Sequence, residues 1–173
     1  GMLLSLWGDD EKYKQVYWSR FAGMYYYPGD YALVDHDGYL WLLGRADDVL
    51  KVSGHRLGTM ELESAFVSHR AIAEAAVTSK PDRVKGESII AFLVPKDGIK
   101  SDNLRSEVVS HIRNTLGPIA TPDEVYFVNK LPKTRSGKIM RRVLAAISNK
   151  KDVGDVTTLA NPEVVEEIAR MAG

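Results

Sequence analysis

Eleven of the fifteen aromatic side chains fall within the first forty-one of 173 residues, among them Trp7, Tyr13, Tyr17, Trp18, Phe21 and the run Tyr25-Tyr26-Tyr27. The remainder of the chain does not continue that composition. A single core spread evenly along the sequence is therefore excluded. With 45% hydrophobic residues, the chain has material for one small domain and a piece of another.

The first part offers apolar faces and little to cover them. Asp9 is a good N-cap, and Tyr13, Val16, Tyr17 and Phe21 recur at helical spacing, which predicts a short amphipathic helix. Tyr31 to Val34 and Tyr39 to Leu43, joined by Asp35-His36-Asp37-Gly38, predict a β-hairpin. A lone hairpin is marginal in water, so this region needs a partner.

After Gly44-Arg45-Ala46-Asp47-Asp48 the pattern becomes compact α+β, with a small mixed sheet flanked by helices. Strands are expected at Val49 to Ser53, Ile72 to Ser79, Glu87 to Val94 and Val125 to Val128, with a polar Pro81-Asp82-Arg83 connection. Thr59 is expected to cap a helix running to His69. Leu104, Val108, Ile112 and Leu116 mark a longer helix stopped by Gly117-Pro118. Ser136 is expected to cap a helix carrying Ile139, Val143, Leu144 and Ile147, and Asn161-Pro162 to open a last one. Residues 1–46 thus read as a terminal fragment, 47–149 as a domain and 150–173 as a tail with a short helix. Gly1 ahead of Met2 reads as a scar of tag removal before a native start.

Composition narrows the function classes. Lys+Arg and Asp+Glu both number 23, which argues against a general nucleic-acid or membrane binder. No apolar run approaches the roughly 20 residues that cross a bilayer, no signal peptide is evident, and a cytoplasmic setting is expected. The absence of cysteine removes disulfides, thiolate metal sites and cysteine nucleophiles. His36, His55, His69 and His111 have no paired spacing with carboxylates, so no metal is expected and each reads as a surface or loop residue.

Charge is concentrated locally. From Val125 to Lys151 there are eight Lys or Arg residues and no Asp or Glu. Within that span, Pro132 and Gly137 flank a turn that reads as mobile and holds out Lys138 to an anion: phosphate, carboxylate or nucleic-acid backbone. A solvated helix start would use the same residues. Gly137-Lys138 is not a Walker loop, because the leading glycine and the following Ser/Thr are missing. A second cluster, Ser53-Gly54-His55-Arg56-Leu57-Gly58, reads as a loop in which glycines admit a close ligand and Arg56 offers a phosphate fork.

These same stretches resemble a known family. Tyr27-Pro28-Gly29-Asp30, Gly44 to Gly58 and Leu131 to Arg142 are similar to the C-terminal part of the acetyl-CoA synthetase family, within the adenylate-forming superfamily of acyl-CoA synthetases, luciferases and peptide-synthetase adenylation domains. Gly54 to Thr59 and Thr157 to Pro162 look like its acetate or propionate branch. The resemblance implies the fold of the superfamily's C-terminal lid domain, preceded by a hairpin of the large AMP-binding domain. It implies a two-step ligase using ATP with Mg2+ and CoA, in which acetate becomes acetyl-adenylate and then acetyl-CoA.

By the same resemblance Lys138 is the catalytic lysine of the first step, Asp30 and Arg45 hold the ribose, and Arg56 approaches the AMP phosphate. Asp47 is the hinge. Ser53, Gly54 and His55 line the pantetheine path, and Arg113 contacts the CoA nucleotide. Lys138 would also be an acetylation site, which makes a protein acetyltransferase and a deacetylase partners. Pro28 departs from the family's usual Thr, and the large domain's phosphate loop, adenine pocket and acyl pocket are absent. The chain alone is expected to be inactive, with no cofactor bound, and to work with an N-terminal AMP-binding domain in the same chain or separately encoded. Rival readings are a standalone subunit, a regulatory or CoA-nucleotide-binding module, or a propionyl-CoA synthetase.

Overall fold

The computed structural model describes residues 2–46, 48–98 and 103–172. The chain divides into two compact units, Gly1–Asp47 and Asp48–Gly173.

In the first unit, helix α1 (Asp10–Tyr17) is capped as expected, with the Asp9 carboxylate accepting the Lys12 N–H at 3.1 Å. A 3-10 turn, Ser19–Phe21, follows. Strands β1 (Asp30–Val34) and β2 (Leu40–Arg45) pair antiparallel from Asp30 opposite Arg45 to Val34 opposite Leu40. The turn is locked by Asp35, which accepts the Tyr39 N–H at 2.9 Å and the Trp41 indole N–H at 2.8 Å. The indole bond, then the Tyr39 amide, holds the Asp35 carboxyl below the usual carboxylate range. Aromatic rings pack on one another, as when Tyr17 stacks on Tyr26 at 5.2 Å. They enclose nothing: among the described residues of this unit only Gly29 is buried, and Trp7 is fully exposed. Exposed apolar surface of this extent is characteristic of an interaction surface.

The second unit has a core on each face of one sheet. Its strands are β3 (Val49–Val52), β4 (His55–Gly58), β5 (Ile72–Asp82), β6 (Gly86–Pro95) and β7 (Glu124–Phe127). The order is β4-β3-β6-β5, with β7 pairing parallel to β6 and every other pair antiparallel. Helices α2 (Thr59–Val67) and α3 (Leu104–Leu116) cover one face, and α4 (Arg141–Ser148) and α5 (Glu163–Ala172) the other. Successive strand residues therefore serve different cores. Val77, Ile89, Ala91 and Leu93 join Phe66, Val108 and Ile112, whereas Ala76, Ile90 and Phe92 join Leu144, Val164 and Ile168. Burial on both faces is why β5 and β6 read as nearly continuous apolar runs. Each fully buried Ile or Phe contributes about 1.5–3 kcal/mol.

Four local expectations change. The segment read as a loop from Ser53 to Gly58 is mostly strand: β4 pairs with β3 from Val49 opposite Gly58 to Val52 opposite His55. The turn is only Ser53-Gly54, both with positive φ (50° and 81°), the geometry of a tight two-residue hairpin. Gly58, not Thr59, is the N-cap of α2. Ser136 caps nothing; α4 begins at Arg141 after Met140 without a side-chain cap. Finally, β5 and β6 run on through Pro81, leaving a turn that Asp82 closes by accepting the Val84 and Lys85 N–H groups at 2.8 Å.

His36 and His55 are exposed and His69 lies in the connection between α2 and β5, as expected, whereas His111 is part of helix α3. His69 and His111 are half-buried, their rings 5.2 Å apart, and His111 Nε2 lies 2.8 Å from Ser68 Oγ. Burial, then the neighbouring His111, holds the His69 pKa below its ordinary value. Its folded pKa therefore lies below its unfolded one. The stability it contributes is complete above about pH 6.5 and is lost as pH falls through the folded pKa. Urea midpoints measured from pH 7.5 to 5 are expected to decline more steeply in the wild-type chain than in His69→Gln. Parallel declines contradict the assignment.

Candidate functional site

The basic stretch forms a closed hairpin rather than a mobile turn. Thr134 N–H donates to the Lys138 C=O at 2.8 Å, Gly137 N–H to the Thr134 C=O at 2.9 Å and Met140 N–H to the Pro132 C=O at 2.8 Å. The Thr134 hydroxyl accepts the Lys138 N–H at 3.1 Å and lies 3.0 Å from Ser136 Oγ. That pairing takes up the Ser136 hydroxyl, the one expected to cap the following helix. Gly137, at φ 83°, makes the turn, and a Cβ there would meet nothing within 4 Å.

Several of the clustered cations are already committed. Lys133 pairs with Glu74 at 2.6 Å, and Arg142 donates to the Val153 C=O at 2.7 Å and to the Asp155 C=O. Arg141 reaches back to α2, with Nε 2.7 Å from Glu63 Oε1 and Nη2 2.6 Å from Glu63 Oε2, while Nη1 stands 3.5 Å from Asp48 Oδ2. Lys138 is exposed and has no carboxylate partner among the described residues. A compact ammonium on a fixed backbone is suited to meet an incoming anion.

The other residues fall in separate places. Ser53, Gly54, His55 and Arg56 share the exposed tip of the β3–β4 hairpin, where His55 Nδ1 lies 3.1 Å from the Ser53 C=O. Arg113 is exposed in the last turn of α3. Lys138 immediately precedes Ile139 and Met140, which pack with α4 and α5, whereas Arg113 follows Ile112 on α3, which packs on the opposite face of the sheet.

In the first unit, Asp30 and Arg45 face each other across β1 and β2. Arg45 Nη1 is 3.4 Å from Asp30 Oδ1 and donates to the Pro28 C=O at 2.8 Å. Arg45, but not Asp30, lines a cavity of about 270 Å³ together with Tyr17, Arg20, Tyr27 and Gly29. Gly29 is required: its φ is 82°, and a Cβ would fall 2.7 Å from Arg45 Nη2. Gly29→Ala is expected to cost about 1–2 kcal/mol from backbone strain alone. The check is faster amide exchange along β1–β2, and unchanged exchange would contradict it. Asp47, the expected hinge, lies outside the described residues.

Glu63, Arg141 and Asn161 were missed by the sequence reading. Glu63 and Arg141 are 78 positions apart, and no spacing signals such a pair. Among the described residues no group of three or more His, Cys, Asp or Glu could hold a metal, and no helix is long and apolar enough to cross a membrane.

Comparison with known proteins follows these features. Residues 61–138 match the family model of the AMP-binding enzyme C-terminal domain. An acetyl-coenzyme A synthetase of Pyrobaculum aerophilum is 60% identical over 98% of this chain and 25% of its own length. A 3-hydroxypropionyl-coenzyme A synthetase of Metallosphaera sedula is 49% identical over 98% of the chain and 26% of its own length. Among solved structures, an anthranilate CoA ligase in complex with anthranoyl-AMP superposes with a TM-score of 0.70 and 37% identity, over 82% of this chain and 27% of that one. The chain thus spans about a quarter of the length of the curated relatives it matches. Residues 61–138 thus match the C-terminal domain of AMP-binding enzymes, and the chain as a whole is similar to about a quarter of the acetyl-coenzyme A synthetases.

Proposed function

We propose that this chain serves as the lid portion of an AMP-forming acetate–CoA ligase and requires the remaining three-quarters of that enzyme for activity. In the first step an acetate oxygen attacks the α-phosphorus of ATP, the bond to pyrophosphate breaks, and acetyl-adenylate forms. Carboxylate and triphosphate repel each other as they approach. The Lys138 ammonium would offset that repulsion and the charge developing at the α-phosphate. In the second step the CoA sulfur attacks the acetyl carbon and AMP leaves. Ser53, Gly54 and His55 would flank the pantetheine, Arg56 the AMP phosphate and Arg113 the CoA nucleotide. Asp30 and Arg45 would hold the ribose in both steps. Magnesium arrives with ATP as substrate, and the described residues of this chain supply no cluster to hold it.

The observation that carries this reading is the Lys138 loop: its backbone is pinned, several neighbouring cations are engaged, and its ammonium has no carboxylate partner among the described residues. The place of Arg113 on α3, which packs on the opposite face of the sheet from α4 and α5, supports a domain that presents one face per step, turning at Asp47. Relatives named for acetyl and for 3-hydroxypropionyl groups match the same residues, so acyl choice belongs to the rest of the enzyme. Exposure of Lys138 also fits control by acetylation, which would remove the charge the first step needs, through an acetyltransferase and a deacetylase. The test is thioester formation from ATP, acetate and CoA by the enzyme carrying this chain. No acetyl-CoA from that enzyme would refute the reading.

A further inference from the structure

The hairpin of Lys138 is not a two-stranded element. Its first arm, residues 131–134, lies between its second arm, 138–140, and the tail. On one side Lys133 bridges to Ile139; on the other Thr134 bridges to Leu159, and the Ala160 N–H donates to the Lys133 C=O at 2.8 Å. Asn161 extends this edge with its side chain. Its Oδ1 accepts the Lys133 N–H at 3.0 Å and its Nδ2 donates to the Leu131 C=O at 2.9 Å. With one of its two N–H groups and its C=O engaged in this way, the carboxamide serves as a peptide group does, so Asn161 acts as one more residue of strand. The tail is itself anchored, since Leu159, Val164 and Ile168 are buried.

We infer that residues 159–161 are a strap that fixes the backbone of Lys138, with Asn161 a positioning residue for the adenylation step. The inference rests on the role of Lys138 given above. A hairpin of two short arms is marginal, and a third strand stabilises it. A lysine side chain is long and flexible, so its ammonium is placed only as well as its backbone is held. Displacement of a catalytic group by about 1 Å can cost on the order of a hundredfold in rate. Residues 150–173, expected as a separate tail, thus contribute directly to the proposed site.

Hydrogen exchange in this chain provides the first readout. Asn161→Ala is expected to speed exchange of the Thr134, Lys138 and Met140 amides by about tenfold or more, leaving β5–β6 unchanged. Val164→Ala weakens the same tail by shortening a buried side chain and keeps the Asn161 bonds, so it serves as the stability control. The second readout is kinetic, in the full-length synthetase. Asn161→Ala should lower kcat for adenylate formation about tenfold or more, with KM for ATP and acetate and thioester formation from supplied acetyl-adenylate within about twofold. Unchanged exchange in Asn161→Ala, or equal loosening in Val164→Ala, overturns the strap. Loosened exchange with unchanged adenylation overturns its catalytic consequence. In that case a parallel Lys138→Ala that loses adenylation leaves the role of Lys138 standing, and one that keeps it overturns that role as well.

Discussion

Lys138→Ala in the full-length synthetase is expected to reduce acetyl-adenylate formation by at least about a hundredfold, while thioester formation from supplied acetyl-adenylate persists. The magnitude is that of losing one preorganised electrostatic donor, about 3 kcal/mol at the transition state. The selectivity follows from charge. In the proposed reaction only the first step brings a carboxylate against a triphosphate, whereas the second begins from a mixed anhydride and releases AMP. The substitution should leave folding intact, because the Lys138 side chain is exposed and the hairpin is held by its backbone and by the Thr134 hydroxyl. Circular dichroism and separate assays of the two half-reactions check this result. Equal loss in both steps would place Lys138 elsewhere in the mechanism.

Arg141→Met is expected to destabilise the second unit by about 3 kcal/mol, lowering Tm by about 10 °C. Glu63 is only 8% exposed and its carboxylate carries two duties. It accepts the outward Val77 N–H of strand β5 at 3.0 Å, and it receives the Arg141 guanidinium in a two-point pair. Bonding to Glu63 holds the Arg141 pKa above its ordinary value against the opposing effect of burial. Removing the guanidinium strands a buried carboxylate, the costly way to break such a pair. Glu63→Leu should also be destabilising, because it leaves the Val77 N–H unsatisfied and Arg141 with only the longer contact to Asp48. The double variant should recover part of the loss, since the charge mismatch is gone while the Val77 N–H stays unpaired. Thermal unfolding of the four proteins gives the coupling, and strict additivity would mean that the pair contributes nothing jointly.

Local periodicity made most elements legible. The Asp9 cap, the Asp35-to-Gly38 turn, the Leu104/Val108/Ile112 stripe and the Gly117 stop carry their structure in adjacent residues. β4 was hidden because His55-Arg56 reads as polar loop until Lys51 and Val52 are seen as its partners. Ser136 misled for a related reason: a hydroxyl three residues from an apolar stripe can cap a helix, but here Thr134 recruits it into a hairpin. The resemblance named Lys138, Arg56 and Arg113 but not what holds them. The Glu63–Arg141 clip and the Asn161 clamp join residues 78 and 28 to 30 positions apart, and only folding brings such groups together.

The division of labour between the two layers is tested most directly by measuring both half-reactions side by side in Lys138→Ala and Arg113→Ala forms of the full-length enzyme. Acetate-dependent exchange of pyrophosphate into ATP reports the first step, and CoA-dependent consumption of supplied acetyl-adenylate the second. The account predicts a crossed pattern: Lys138→Ala loses the exchange and keeps the thioester step, whereas Arg113→Ala keeps the exchange and raises KM for CoA. If both variants impair both half-reactions alike, the chain does not present one face to each step.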